Sequence, residues 1–254
     1  MKVAIITGAS SGMGREFARI AAASGEVDEI WAVARRSERL AELAAELSIP
    51  LRPLCLDLGD ASSAERLEAM LGEEKPDVRA LVNAAGFAKF GTCSDITRAE
   101  NDGMIDVNVR ALVDVTTACL PYMTRGARII EIASCAGFLP LPGLNVYAAS
   151  KAFVLRYTRG LKRELMGRGL RVTALCPGWV KTEFVAVARD TKNGKTVKHY
   201  YLAATPRFIA SYAWRANALG LAVVSCPPHI IGLRLFCKIS PDWLSMTLWK
   251  LFTI

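Results

Sequence analysis

The chain has 254 residues, is 52% hydrophobic and carries a formal net charge of +8. That composition excludes a disordered segment and a small disulfide scaffold, and it suffices for one α/β domain with a large core. The basic residues are scattered rather than gathered with stacking aromatics, so nucleic acid is not an expected partner.

Short apolar runs alternate with helical patterns from the first residue, which predicts successive βαβ units and a parallel sheet. Strands are expected over residues 2–7, 29–34, 51–56, 79–83, 128–133 and 171–176, with a seventh over 221–225. Helices are expected over 14–24, 37–47, 62–71, 99–123, 147–168 and 206–220. The stretches Ser37-Glu38-Arg39 and Ala61-Ser62-Ser63 supply N-caps for two of these helices. Pro227-Pro228 stops regular pairing, and beyond it residues 230–239 and 241–251 are apolar with few charges. This extension, about 227–254, fits ordinary core, a dimer contact, a lid over an apolar substrate or a membrane-surface helix.

The first strand runs into Thr7-Gly8-Ala9-Ser10-Ser11-Gly12-Met13-Gly14, followed by a helical stretch. Glycines between strand and helix permit a tight turn and close backbone approach, and the helix N-terminus offers free N–H groups to a pyrophosphate. Glycine turns also arise from packing alone. The second strand ends in Arg35-Arg36 with no acid at positions 34–36. An acid there would accept from both ribose hydroxyls of NAD, whereas guanidinium groups pair with the 2′-phosphate of NADP. NADP(H) is therefore the expected cofactor and NAD(H) a weaker one.

In Asn145-Val-Tyr147-Ala-Ala-Ser-Lys151, a helix puts Tyr147 and Lys151 on one face. A cation beside a phenol favours phenolate and lowers its pKa toward working pH, as a general acid/base requires. The plain alternative is a phenol packed on a lysine stem.

The seven cysteines are odd in number and lack a Cys-x2-Cys pair, so they read as reduced thiols of a cytoplasmic protein. With two histidines, a histidine-built zinc site is not expected, and no metal is assigned. The N-terminus enters a strand at once, so no signal peptide is expected, and no run of about 18 apolar residues predicts a membrane span.

Taken together these motifs resemble the short-chain dehydrogenase/reductases over nearly the whole chain. The likeness rests on Thr7 to Gly14, Asp57-Leu58, Asn83-Ala84-Ala85-Gly86, Asn108, Ser134, Tyr147-x3-Lys151 and Pro177-Gly178-Trp179-Val180-Lys181-Thr182, in the family's order. The resemblance implies a single Rossmann-type domain, a doubly wound parallel sheet of about seven strands with helices on both faces. It implies that Tyr147 is the acid/base, that Lys151 lowers its pKa and holds the nicotinamide ribose, and that Ser134 orients the substrate oxygen. It further implies that Asn108 positions a water, that Asp57 and Leu58 border the adenine, that Asn83 and Gly86 border the adenosine ribose and the central sheet, and that Val180 and Thr182 meet the carboxamide. Homodimers or homotetramers are the family's common assemblies. Ala84 stands where asparagine is often repeated, and neither it nor Cys135 removes a catalytic group.

The stretches 134–144 and 179–187 are apolar, so Ala136, Trp179 and Phe184 join Ser134 and Tyr147 as substrate contacts, with residues 183–220 covering the cleft. The expected function is an NADP(H)-dependent oxidoreductase acting on a hydrophobic ketone or secondary alcohol, with hydroxysteroid (steroid or bile acid) dehydrogenase as the favoured subclass. The alternatives are a 3-oxoacyl reductase of lipid synthesis and a non-catalytic NADP-binding sensor or scaffold.

Overall fold

The computed structural model describes residues 1–253. Strand β1 (Lys2–Thr7) divides its side chains between two covered faces, with Val3 and Ile5 in one apolar layer and Ala4 and Ile6 in the other. A strand buried on both sides reads as an unbroken apolar run, which is why the sequence shows no polar alternation there. The sheet is completed by β2 (Glu29–Ala34), β3 (Leu51–Cys55), β4 (Asp77–Asn83), β5 (Arg128–Ile132), β6 (Arg171–Pro177) and β7 (Val223–Cys226). All seven strands pair in parallel, in the order β3-β2-β1-β4-β5-β6-β7. Pro53 is tolerated because β3 is an edge. This is the doubly wound Rossmann-type arrangement, as expected.

One face is covered by α1 (Gly12–Ala23), α2 (Ser37–Glu46) and α8 (Pro206–Ala218), through Phe17, Leu40 and Trp214 among others. The other is covered by α3 (Ser62–Glu74), α5 (Ala111–Cys119) and α6 (Asn145–Glu164), through Leu67, Val115 and Leu161. The placement of α8 corrects one expectation: Ile209, Ala213 and Trp214 lie in the core, so the cover over the cleft is confined to the segment before α8. That segment includes α7 (Phe184–Arg189) and is closed at its base by the bridge between Val180 and Ala204.

The expected long helix over 99–123 is interrupted. It consists of α4 (Arg98–Ile105), capped by a reciprocal Thr97–Glu100 box, a π-helical turn Asp106–Arg110, and α5. The serine caps also differ from expectation. Ser37 is the first residue of α2 rather than its cap, and α3 is preceded by Ala61, with the Ser63 hydroxyl donating to the Asp57 carbonyl at 2.7 Å.

The C-terminal stretch forms α9 (His229–Ile239) and α10 (Asp242–Thr253). Their inner side turns Ile230, Leu233, Phe236, Leu248 and Trp249 toward the protein, whereas Ile239 is 86% exposed and Trp243 65%. The two helices thus serve as cover on one side and present an unpacked apolar face on the other. No helix among the described residues is long and apolar enough to cross a membrane.

Candidate active site

At the carboxyl edge of the sheet, β1 lies between β2 and β4, and the crossovers leave in opposite directions. The loops there line a cavity of about 570 Å3. The turn after β1 is built by glycine: Gly8 has φ +67° and Gly12 φ +55°, both in the left-handed region. A Cβ on Gly14 would stand 2.3 Å from the Gly8 carbonyl oxygen, and one on Gly8 2.8 Å from the Ala85 nitrogen. The Ala85 N–H also donates to the Thr7 hydroxyl at 3.0 Å, locking the loops after β1 and β4 together. Packing therefore accounts for part of the motif. The rest is an open anion receptor, because Ser11 caps α1 without a side-chain bond and the first turn carries no acid.

Further along the groove, Arg36 Nη2 donates to Ser10 Oγ at 3.2 Å and pairs with Glu183 at 2.9 Å. Arg35 is largely exposed and stands 3.9 Å from Asp57. Asp57 also accepts from the Gly59 N–H at 3.0 Å, and the neighbouring Leu58 is buried against the groove. Two guanidinium groups beside an open helix N-terminus fit a nicotinamide dinucleotide that carries a 2′-phosphate.

Ser134, Tyr147 and Lys151 converge at the other end, all less than 10% exposed. Ser134 Oγ accepts from the Ala136 N–H at 3.1 Å, which leaves its own proton free for a substrate oxygen. Lys151 Nζ donates to the Ile132 carbonyl at 2.7 Å and lies 5.8 Å from the Tyr147 ring centroid. The expected depression of the Tyr147 pKa is not found in the protein by itself. Burial raises the phenol well above its ordinary value, and the Ser134 hydroxyl offsets only part of that. Burial in turn lowers Lys151 to about 8, against the field of Glu131. The site thus holds a protonated phenol beside a lysine poised near neutrality.

The sequence-selected residues of the turn, of the adenine end and of the segment from Ala84 to Gly86 line the cavity. So do Ala136, Pro177, Gly178, Trp179, Val180, Thr182 and Phe184. Two residues stand behind its wall. Asn108, fully buried in the π turn, donates to the Phe87 carbonyl at 2.9 Å and to Ser150 Oγ at 3.1 Å, and accepts from the Phe87 N–H at 3.0 Å. Asn83 is turned into the core, donating to Thr116 Oγ1 at 2.9 Å and to Glu131 at 3.2 Å. Of the two neighbours expected for Asn83, the sheet is the one its amide meets, through Glu131 of β5, while Gly86 lies beside Asn108 and Lys151.

Sequence reasoning missed three contributors. Glu131 was announced by a lone acid within an apolar strand. Lys89 and Trp249 reach the cavity from elements far away in sequence, and for Trp249 the only sign was an aromatic in the apolar tail.

Comparison with known proteins agrees with this geometry. The family described as short chain dehydrogenase matches residues 2–193. Sulfoacetaldehyde reductase 2 of Chromohalobacter salexigens is 41% identical over 194 residues, 73% of this chain and 75% of that protein. The NADP-dependent 3-hydroxy acid dehydrogenase YdfG of Escherichia coli is 36% identical over 223 residues, 85% and 89% of the two chains. A short-chain dehydrogenase from Sphingobium yanoikuyae in complex with NADPH superimposes with a TM-score of 0.81 at 28% identity, over 98% of this chain and 95% of that one. The chain belongs to the short-chain dehydrogenase/reductase family and is an oxidoreductase. Its cofactor is NADP(H), with NAD(H) the weaker one, and Arg35 and Arg36 line the cavity.

Proposed function

We propose that this enzyme interconverts a hydrophobic ketone and its secondary alcohol, with a steroid or bile-acid ketone/alcohol pair as the favoured substrate. The observation that carries the reading is the wall around Ser134 and Tyr147, where Leu141, Leu144, Trp179, Phe184, Val187 and Trp249 face the cavity. A pocket of apolar side chains with a few polar groups at one point binds a greasy molecule by one oxygen. NADPH, when bound, supplies the hydride for the carbonyl carbon.

The remaining steps belong to the chain's own residues. The Tyr147 phenol gives its proton to the substrate oxygen as negative charge develops there, and the Ser134 hydroxyl donates to the same atom. The Lys151 ammonium, anchored on Ile132, stabilises the phenolate left behind and keeps further N–H donors for ribose hydroxyls. In alcohol oxidation the proton runs the other way.

The relatives named above act on sulfoacetaldehyde and on 3-hydroxy acids, and Lys89 is the cation at the substrate end that an anionic substrate would need. Its Nζ, however, donates to the Asp190 carbonyl at 2.6 Å and lies 3.6 Å and 3.7 Å from the carboxylates of Glu100 and Asp190. A substrate anion would have to enter against two carboxylates, which favours the uncharged ketone. For a 3-oxoacyl reductase, salt would inhibit turnover of a carrier-bound substrate while sparing a free ketone. A homodimer or homotetramer with reduced thiols in the cytoplasm completes the proposal.

The test is a panel of steroid, bile-acid and acyl ketones followed by NADPH absorbance. Tyr147→Phe is expected to lower turnover by about 10²–10⁴-fold while NADPH affinity, measured by fluorescence titration, stays nearly unchanged. Activity surviving in that variant would remove Tyr147 as the acid, and an inactive wild type that binds NADPH would favour the sensor reading.

A further inference from the structure

Beside the catalytic cavity lies a second apolar chamber of about 360 Å3. Its walls come from Leu139 and Leu141 after β5, from Leu233 and Phe236 on α9, and from Leu248 and Phe252 on α10. Ser245 is the one hydroxyl among them, and it donates to the Asp242 carbonyl at 2.9 Å. Burial pushes the Cys135 thiol up to about 11, so that side chain also presents a neutral surface. The space opens to solvent at Phe252, and its apolar wall offers water few partners.

The chamber adjoins the catalytic cavity across a shared wall. Cys135, Ala136, Leu141 and Trp249 line both. Two of these directly follow Ser134, so the shared wall stands next to the point where the substrate oxygen would be held. Trp249 forms the partition, fixed by its indole N–H donating to the Pro142 carbonyl at 2.9 Å. The α9 and α10 walls lie beyond residues 2–193, the stretch that the family model matches.

We infer that the chamber is a substrate subsite that takes the distal hydrocarbon part of an elongated carbonyl substrate while its oxygen meets Ser134 and Tyr147. This rests on the ketone reading above and extends it, because it assigns the substrate's length and the side toward which it points. No polar group is presented deep in the chamber, so the part received is unsubstituted hydrocarbon.

The experiment is a series of straight-chain methyl ketones from butanone to dodecanone, with kcat/KM measured at saturating NADPH. In the wild type, kcat/KM is expected to rise by about fourfold per methylene entering the chamber and then to level off when it is full. Leu233→Trp fills the chamber and is expected to lower the ratio of the decanone value to the butanone value by about tenfold or more. Phe236→Ala enlarges it and is expected to move the plateau to longer ketones. Both variants change α9, and NADPH titration and circular dichroism report whether each is folded. Butanone turned over with no gain along the series, or the same profile in both folded variants and the wild type, overturns the subsite and leaves the ketone reading standing. No turnover at any length by a wild type that binds NADPH overturns both.

Discussion

Glu131 is an acid in the middle of a sheet, and its surroundings make it a proton-linked group. Its Oε1 accepts from Asn83 at 3.2 Å and from Thr116 at 3.0 Å, whereas Oε2 has no partner among the described residues. Burial raises its pKa to about 7, with the Asn83 and Thr116 bonds and the charge of Lys151 pulling the other way. The native state therefore holds this proton more tightly than the unfolded chain, whose ordinary value is 4.5. The stability gained is complete below pH 4.5 and is lost as pH rises to about 7. Glu131→Gln stays neutral throughout, so its stability relative to wild type is expected to grow across that window by roughly 1–3 kcal/mol, read from urea melts at the two ends. The same variant removes the field that holds the Lys151 pKa up, so the alkaline fall of ketone reduction should move to lower pH. An unchanged pH profile would show that Glu131 and Lys151 are not coupled in the working enzyme.

Among the elements, the turn from β1 to α1 is the least forgiving. Gly14→Ala would drive a Cβ into backbone, which cannot swing aside, so a loss of about 1–3 kcal/mol is expected, together with weaker NADPH binding. Gly160→Ala, about one turn before the end of α6 with nothing within 4 Å of the added atom, is expected to stabilise the protein by up to about 1 kcal/mol. Urea unfolding of the pair separates a steric requirement from mere helix propensity. Local pattern made the strands, the glycine turn and the Tyr147–Lys151 face legible, since each is written in neighbouring residues. The π turn was not, because nothing in Asp106-Val-Asn-Val-Arg110 breaks helical periodicity and the Phe87 backbone that holds Asn108 comes from another loop. Ser37 failed as a cap for a similar reason: Arg36, tied to Ser10 and Glu183, occupies the position before α2. Asn83, Lys89 and Trp249 depend on partners distant in sequence, which no short window displays.

For the molecule as a whole, the cofactor groove joins both halves of the sheet, so binding should report on global stability. At a concentration a hundredfold above Kd, NADPH is expected to add about 2.7 kcal/mol, or about 5–10 °C in Tm for a chain of this size. NADH at the same concentration should add less, and replacing Arg35 and Arg36 together with alanine should bring the two shifts together, as thermal melts would show. Equal shifts in the wild type would contradict the 2′-phosphate assignment. The placement of Trp249 carries a wider consequence. The reacting groups and the dinucleotide groove are complete by Thr182, whereas the partition and the deep wall arrive after residue 229 on two terminal helices. If the chamber is the subsite proposed, part of the enzyme's appetite is written apart from its chemistry, and exchanging the last two helices would re-aim the same hydride transfer at molecules of another length.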